Sequence, residues 1–109
     1  MPREIKESDW KVLRRLHPVA LERFCGRVLT EIGSVMNDDA RNSHERYLNI
    51  FKIVAHRDRE IARIFDDLKR SRAPTMLAEM CSVGLLTEDE LSGFSPETRS
   101  VIDMLRRNG

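Results

Sequence analysis

Residues 42–68 read NSHERYLNIFKIVAHRDREIARIFDDL, and the rest of the chain arranges itself around them. Tyr47, Ile50, Phe51, Val54, Ile61, Phe65 and Leu68 recur at steps of three, four or seven, the spacing of an apolar stripe on an α-helix. Period-two alternation is absent, so the stretch reads as one long helix or two helices in near-continuous register. A helix of about 26 residues runs roughly 39 Å, longer than a domain of this size is thick, which leaves its ends bare or shared. Asn42 suits the N-cap and Glu45 the third helical position, the two halves of a capping box. Asp58 falls between Val54 and Ile61 where a hydrophobe is expected. It marks a bend, a helix end or a surface salt bridge to a neighbouring Arg, or else a buried, paired carboxylate at a site or subunit interface.

Outward from this helix, the polar run NDDARN at 37–42 is a loop short enough to make its neighbours antiparallel. Upstream, PVALERFCGRVLTEIGSVM at 18–36 places Leu21, Phe24, Cys25, Val28, Ile32 and Val35 on one face. Gly26 and Gly33 share a side where a partner helix could approach closely; alternatively Gly33 begins the helix exit and Gly26 is incidental. Before it, Ser8 or Asp9 caps a short helix, DWKVLRRL, that turns Trp10 and Leu13 inward. His17–Pro18 ends that helix, because the residue before a proline is pushed out of the helical region, and Pro18 opens the next. Residues 1–7 are polar and expected to be loosely held.

Downstream, Lys69, Arg70 and Arg72 cluster where cations complement the negative end of a helix dipole. Pro74 opens a shorter helix with Met76, Leu77 and Met80 on its apolar side and Gly84 as its stop. Thr87 and Glu90 form a second capping box, with Leu86 and Leu91 at the positions of a hydrophobic staple, ahead of the short helix EDELSG. Ser95–Pro96 caps a last helix, PETRSVIDMLRR, whose Val101, Ile102 and Leu105 cover the core.

The predicted fold is all-α: one domain over 1–109, an irregular bundle of five or six helices. It is built on the antiparallel pair 18–36 and 43–68, with small C-terminal helices closing one end. The expected core is Trp10, Leu13, Leu21, Phe24, Cys25, Val28, Ile32, Tyr47, Ile50, Phe51, Val54, Ile61, Phe65, Leu68, Leu77, Met80, Leu86, Leu91, Val101, Ile102 and Leu105.

Nineteen Lys and Arg stand against eighteen Asp and Glu, so no overall field draws nucleic acid or acidic membrane to the chain. No apolar run has the length of a membrane helix, and MPREIKESDW lacks the apolar segment of a signal peptide. The expectation is a cytoplasmic protein, with Cys25 and Cys81 as core thiols in a reducing compartment.

Motifs for nucleophilic catalysis, phosphate binding or HExxH zinc chemistry are missing from the sequence. His56 and Glu60 share a helix face but lack the further His or Cys of a closed metal site, so neither a metal nor a cofactor is expected. A helix-turn-helix reading of the C-terminal part fails on charge. Its reading helix would begin Thr87-Glu88-Asp89-Glu90, three acids facing a polyanion.

Three function classes remain. A non-catalytic protein-interaction module, pairing with itself as a homodimer or with another protein, predicts a flat apolar surface along the central helix. A nucleic-acid-binding regulator needs Arg57, Arg59, Arg63, Arg70 and Arg72 clustered on one exposed surface as anion contacts. A helical-bundle enzyme or ligand-binding protein needs His56, Asp58 and Glu60 to form a polar site, converging with another carboxylate in a pocket.

SDWKVLRRLHPVALERFCGRVL, HERYLNIFKIVAHRDREIARIFDDLKRSRA and GLLTEDELSGFSPETR together resemble a group of short uncharacterised bacterial proteins of unknown function. The resemblance spans nearly the whole chain. It implies an all-helical fold and transfers no functional residues.

Overall fold

The computed structural model describes residues 5–108, in which helices α1 (Glu7–Met36), α2 (Ser43–Phe65), α3 (Ala73–Ser82), α4 (Glu88–Leu91) and α5 (Pro96–Asn108) follow one another without a strand. The fold is all-α. Among the described residues no helix is long and apolar enough to cross a membrane.

The first surprise is α1, which runs unbroken through Pro18 where the sequence predicts a boundary. Proline removes one donor, the bond to the carbonyl of Arg14. Both Arg14 and Pro18 are exposed, on the side of α1 that water can reach, whereas Leu13, Leu16, Ala20 and Phe24 hold the opposite face in the core. Core burial on both sides of the proline offsets the local cost, about 3 kcal/mol in a helix interior. Neither Ser8 nor Asp9 is the cap: Lys6 occupies the N-cap position and both lie inside the helix.

The N-terminal segment is also tied down earlier than expected. Residues 1–4 lie outside the described residues, but Ile5 is buried and its carbonyl accepts from the Nε and an Nη of Arg70 at 2.9 and 2.6 Å.

The predicted 37–42 loop and the Asn42 cap are present. Residues 37–42 turn the chain, and the Asn42 side chain accepts from the backbone N–H of Glu45 at 2.8 Å while Glu45 accepts from that of Asn42 at 2.9 Å. Arg46 closes the turn by donating to the Met36 carbonyl at the end of α1. The central helix stops at Phe65 rather than Leu68. There His17 sits on the freed Phe65 carbonyl at 2.9 Å with its ring edge-on to the Phe65 ring, Asp67 takes a left-handed φ of 62°, and Arg72 donates to the Asp66 carbonyl.

Just past the end of α3, Gly84 takes a φ of 69° in the left-handed region and stops the helix. Arg23 and Arg27 of α1 fasten this turn: Arg27 donates to the carbonyls of Val83 and Gly84, and Arg23 to that of Leu85. The same Arg23 grips both carboxylate oxygens of Glu90, at 2.6 and 2.8 Å. Glu90 and Thr87 make the predicted capping box of α4.

The core occupies one end of the molecule. It joins Leu13, Leu16, Ala20 and Phe24 of α1 to Ile64 and Phe65 of α2, and to Met76, Leu77, Met80 and Cys81 of α3. Ile5, Ala73, Leu85, Phe94 and Ile102 complete it. The buried thiol of Cys81 is as expected, and burial pushes its pKa up; Cys25 is only half-buried. No residue from 25 to 63 is buried. The chain therefore consists of a packed end and a protruding α1–α2 hairpin, and its 54 × 27 × 23 Å extents record that elongation.

Candidate interaction surface

Five members of the predicted core are exposed, and Cys25, Ile32, Ile50 and Leu105 are only half-buried and lie outside the observed core. Tyr47 (65% exposed), Phe51 (63%), Val54 and Leu68 all lie at the surface, as does Val101 of α5. For Tyr47, Phe51 and Val54 the reason is geometric: periodicity identifies an apolar face but not what covers it, and only α1 packs beside this part of α2. Leu48 of α2 and Leu29 and Met36 of α1 are exposed as well.

These side chains share one side of the hairpin. Each residue turns a helix by about 100°. On α2, Tyr47, Phe51 and Val54 lie roughly a sixth to two-fifths of a turn beyond Arg46 and Arg57, the residues that reach α1. On α1, Leu29 and Met36 lie roughly a third to just under half a turn beyond Phe24 and Glu31, which meet α2 through Phe65 and Arg57. The rotation has the same sense in both helices, and in an antiparallel pair equal senses lead to the same side.

Gly26 and Gly33 border this flank of α1. A Cβ added at either glycine would meet nothing within 4 Å. The close helix approach that their spacing suggests is not made within the chain.

The candidate polar site takes a different form. His56 Nε2 is 3.9 Å from Glu60, and Glu60 accepts from Arg57. Arg57 also reaches across to α1, with Nε 3.0 Å from Glu31 Oε1. A second carboxylate thus converges on Glu60, but a guanidinium stands between the two. Hydrogen bonds that Arg57 donates to Glu31 first, then to Glu60, hold the Arg57 pKa above its ordinary value, and the Arg57 guanidinium holds Glu60 below its own. A cleft of about 230 Å³ lies beside the trio. Among the described residues no group of His, Cys, Asp or Glu is arranged to hold a metal ion. The trio acts as a bolt between α1 and α2. Asp58 stands apart from it, exposed in mid-helix and without an ion pair to the described residues, so it marks neither a bend nor a helix end.

The candidate anion contacts are dispersed. Arg57 is spent on Glu31 and Glu60, Arg63 lies 3.3 Å from Glu79, Arg70 holds Ile5 and Glu7, and Arg72 holds Asp66. Arg59 is exposed on α2. Arg57, Arg63, Arg70 and Arg72 make separate contacts within the chain rather than one cationic surface.

Sequence reasoning took Ser8 or Asp9 for a helix cap and missed the tertiary role of Asp9. Its carboxylate, in a residue 1% exposed, accepts from the Ser95 N–H at 2.9 Å, the Ser95 hydroxyl at 2.7 Å and the Thr98 hydroxyl at 2.6 Å. Burial pushes its pKa up, but bonds from Thr98 and Ser95 together with the charge of Lys6 outweigh that and leave it below the ordinary value. No local signal marks it, because its partners lie near the other end of the chain. No protein-family model, curated protein or solved structure matches this chain.

Proposed function

We infer that this protein is a non-catalytic interaction module that self-associates through the α1–α2 hairpin. One observation carries the reading: residues 25–63 contain no buried residue, yet one side of the hairpin presents Leu29, Met36, Tyr47, Phe51 and Val54. Ordering a residue costs about 1–2 kcal/mol of backbone entropy, which burial of apolar surface has to offset. A hairpin without a core of its own gains that burial from a partner. Contiguous apolar surface of this kind on one side of a small protein is the mark of an association face.

The polar cluster supports a structural role, since Arg57 already neutralises the carboxylates that a metal or a proton-transfer reaction would use. Dispersal of the arginines favours protein over nucleic acid as the partner. Free thiols at Cys25 and Cys81 fit a reducing, cytoplasmic setting.

Sedimentation equilibrium of the wild type beside Phe51→Glu and Tyr47→Glu tests the reading. The wild type is expected to dimerise and both variants to remain folded by circular dichroism but monomeric. A dimer that persists unchanged in both variants places the association elsewhere and refutes it.

A further inference from the structure

The exposed stripe of α2 is symmetric about Phe51. Leu48 and Val54 lie three residues to either side, Tyr47 and Ala55 four, and His44 and Asp58 seven. Offsets of three, four and seven return to one helix face. Ala55 is half-buried and the others are exposed. The inner positions are apolar or aromatic, whereas the two outer ones are an imidazole and a carboxylate.

A two-fold axis through Phe51 makes such a stripe complementary to itself. Two α2 helices laid antiparallel across that axis set Phe51 on Phe51, Leu48 against Val54, Tyr47 against Ala55, and His44 against Asp58. A parallel pairing would instead set Asp58 against Asp58 at the end of an apolar seam, desolvating two like charges together.

Resting on the self-association inferred above, we propose that the partner is a second copy docked with its α2 antiparallel, His44 of each protomer donating to Asp58 of the other. Asp58 then has a purpose that the described residues of the single chain do not give it: it interrupts the apolar pattern where the seam ends and fixes both direction and register. Leu29 and Met36, on the same side of α1, widen the contact. A standard interface takes about 20–30 residues from each partner, within the reach of one face of this hairpin together with its rims.

Disulfide trapping tests the geometry with His44→Cys and Asp58→Cys, two exposed positions whose replacement leaves the core untouched. Mild oxidation is followed by peptide mass mapping, so that links through the native Cys25 and Cys81 are recognised. A mixture of the two variants is expected to yield an intermolecular 44–58 link, and each variant alone is expected to give no 44–44 or 58–58 link. In parallel, Asp58→Lys is expected to raise the dimer Kd about tenfold, and adding His44→Glu to recover most of that loss.

Self-linking of either single variant, or a dimeric mixture without the 44–58 link, overturns the antiparallel arrangement while leaving self-association standing. A Kd untouched by both charge changes overturns the His44–Asp58 pairing. A wild type that sediments as a monomer at every concentration overturns the self-association beneath it.

Discussion

The Asp9 carboxylate in the first turn of α1 accepts both the backbone N–H and the hydroxyl of Ser95, the residue that caps α5. One buried charge thereby joins the two ends of the chain, 86 residues apart. Asp9→Ala leaves three donors around a small void, and a loss of about 2–4 kcal/mol in urea unfolding is expected. Asp9→Asn separates charge from shape. Because the folded pKa of Asp9 is lowered, its contribution is complete above the unfolded carboxyl range near pH 4 and fades as pH falls through the folded value. The wild type is therefore expected to exceed Asp9→Asn in stability at neutral pH, and the gap to close in acid. A gap that widens in acid would contradict this.

Glu90 offers a second acid-sensitive tie. Its bidentate bond with Arg23, then the Thr87 backbone N–H, hold its pKa at about 2. The sign is the same: the stabilisation is present above about 4.5 and is lost as pH falls toward about 2. Glu90→Gln keeps an oxygen for the cap and removes the charge. With the pair partly exposed, a loss of about 1–2 kcal/mol at neutral pH is expected by denaturant titration, shrinking below pH 4.

Pro18 makes the opposite prediction. It lies exposed inside a helix whose inner face is held by the core, so Pro18→Ala restores a donor for the Arg14 carbonyl without touching packing. A gain of about 1–3 kcal/mol is expected in thermal or urea unfolding, after allowance for the freer unfolded chain. Destabilisation would show that the proline serves a contact beyond helix geometry.

What the sequence reveals of this fold depends on the range of the interaction. Both capping boxes, the 37–42 turn, the Gly84 stop and the Ser95–Pro96 cap are legible because each is written within four or five residues. The continuity of α1 is not, since a local rule sees the clash at Pro18 but not the core that holds Leu13, Leu16, Ala20 and Phe24 on either side of it. The arginines were legible only as charge; that Arg23, Arg27 and Arg70 grip carbonyls more than fifty residues away follows from the tertiary fold. Periodicity also marks Tyr47, Phe51 and Val54 as one face. Whether that face meets its own chain or another depends on packing the pattern does not encode, which is why an expected core became an exposed surface and why Asp58, conspicuous on that stripe, has no ion pair among the described residues.

Native mass spectrometry of the untagged chain tests self-association most directly, because one spectrum gives both the stoichiometry and any retained adduct. A species at twice the 12.7 kDa chain mass, growing with micromolar concentration and free of adducts, is the predicted result. A monomer at every concentration, carrying a bound metal or small molecule, would contradict the account and move attention to His56, Asp58 and Glu60.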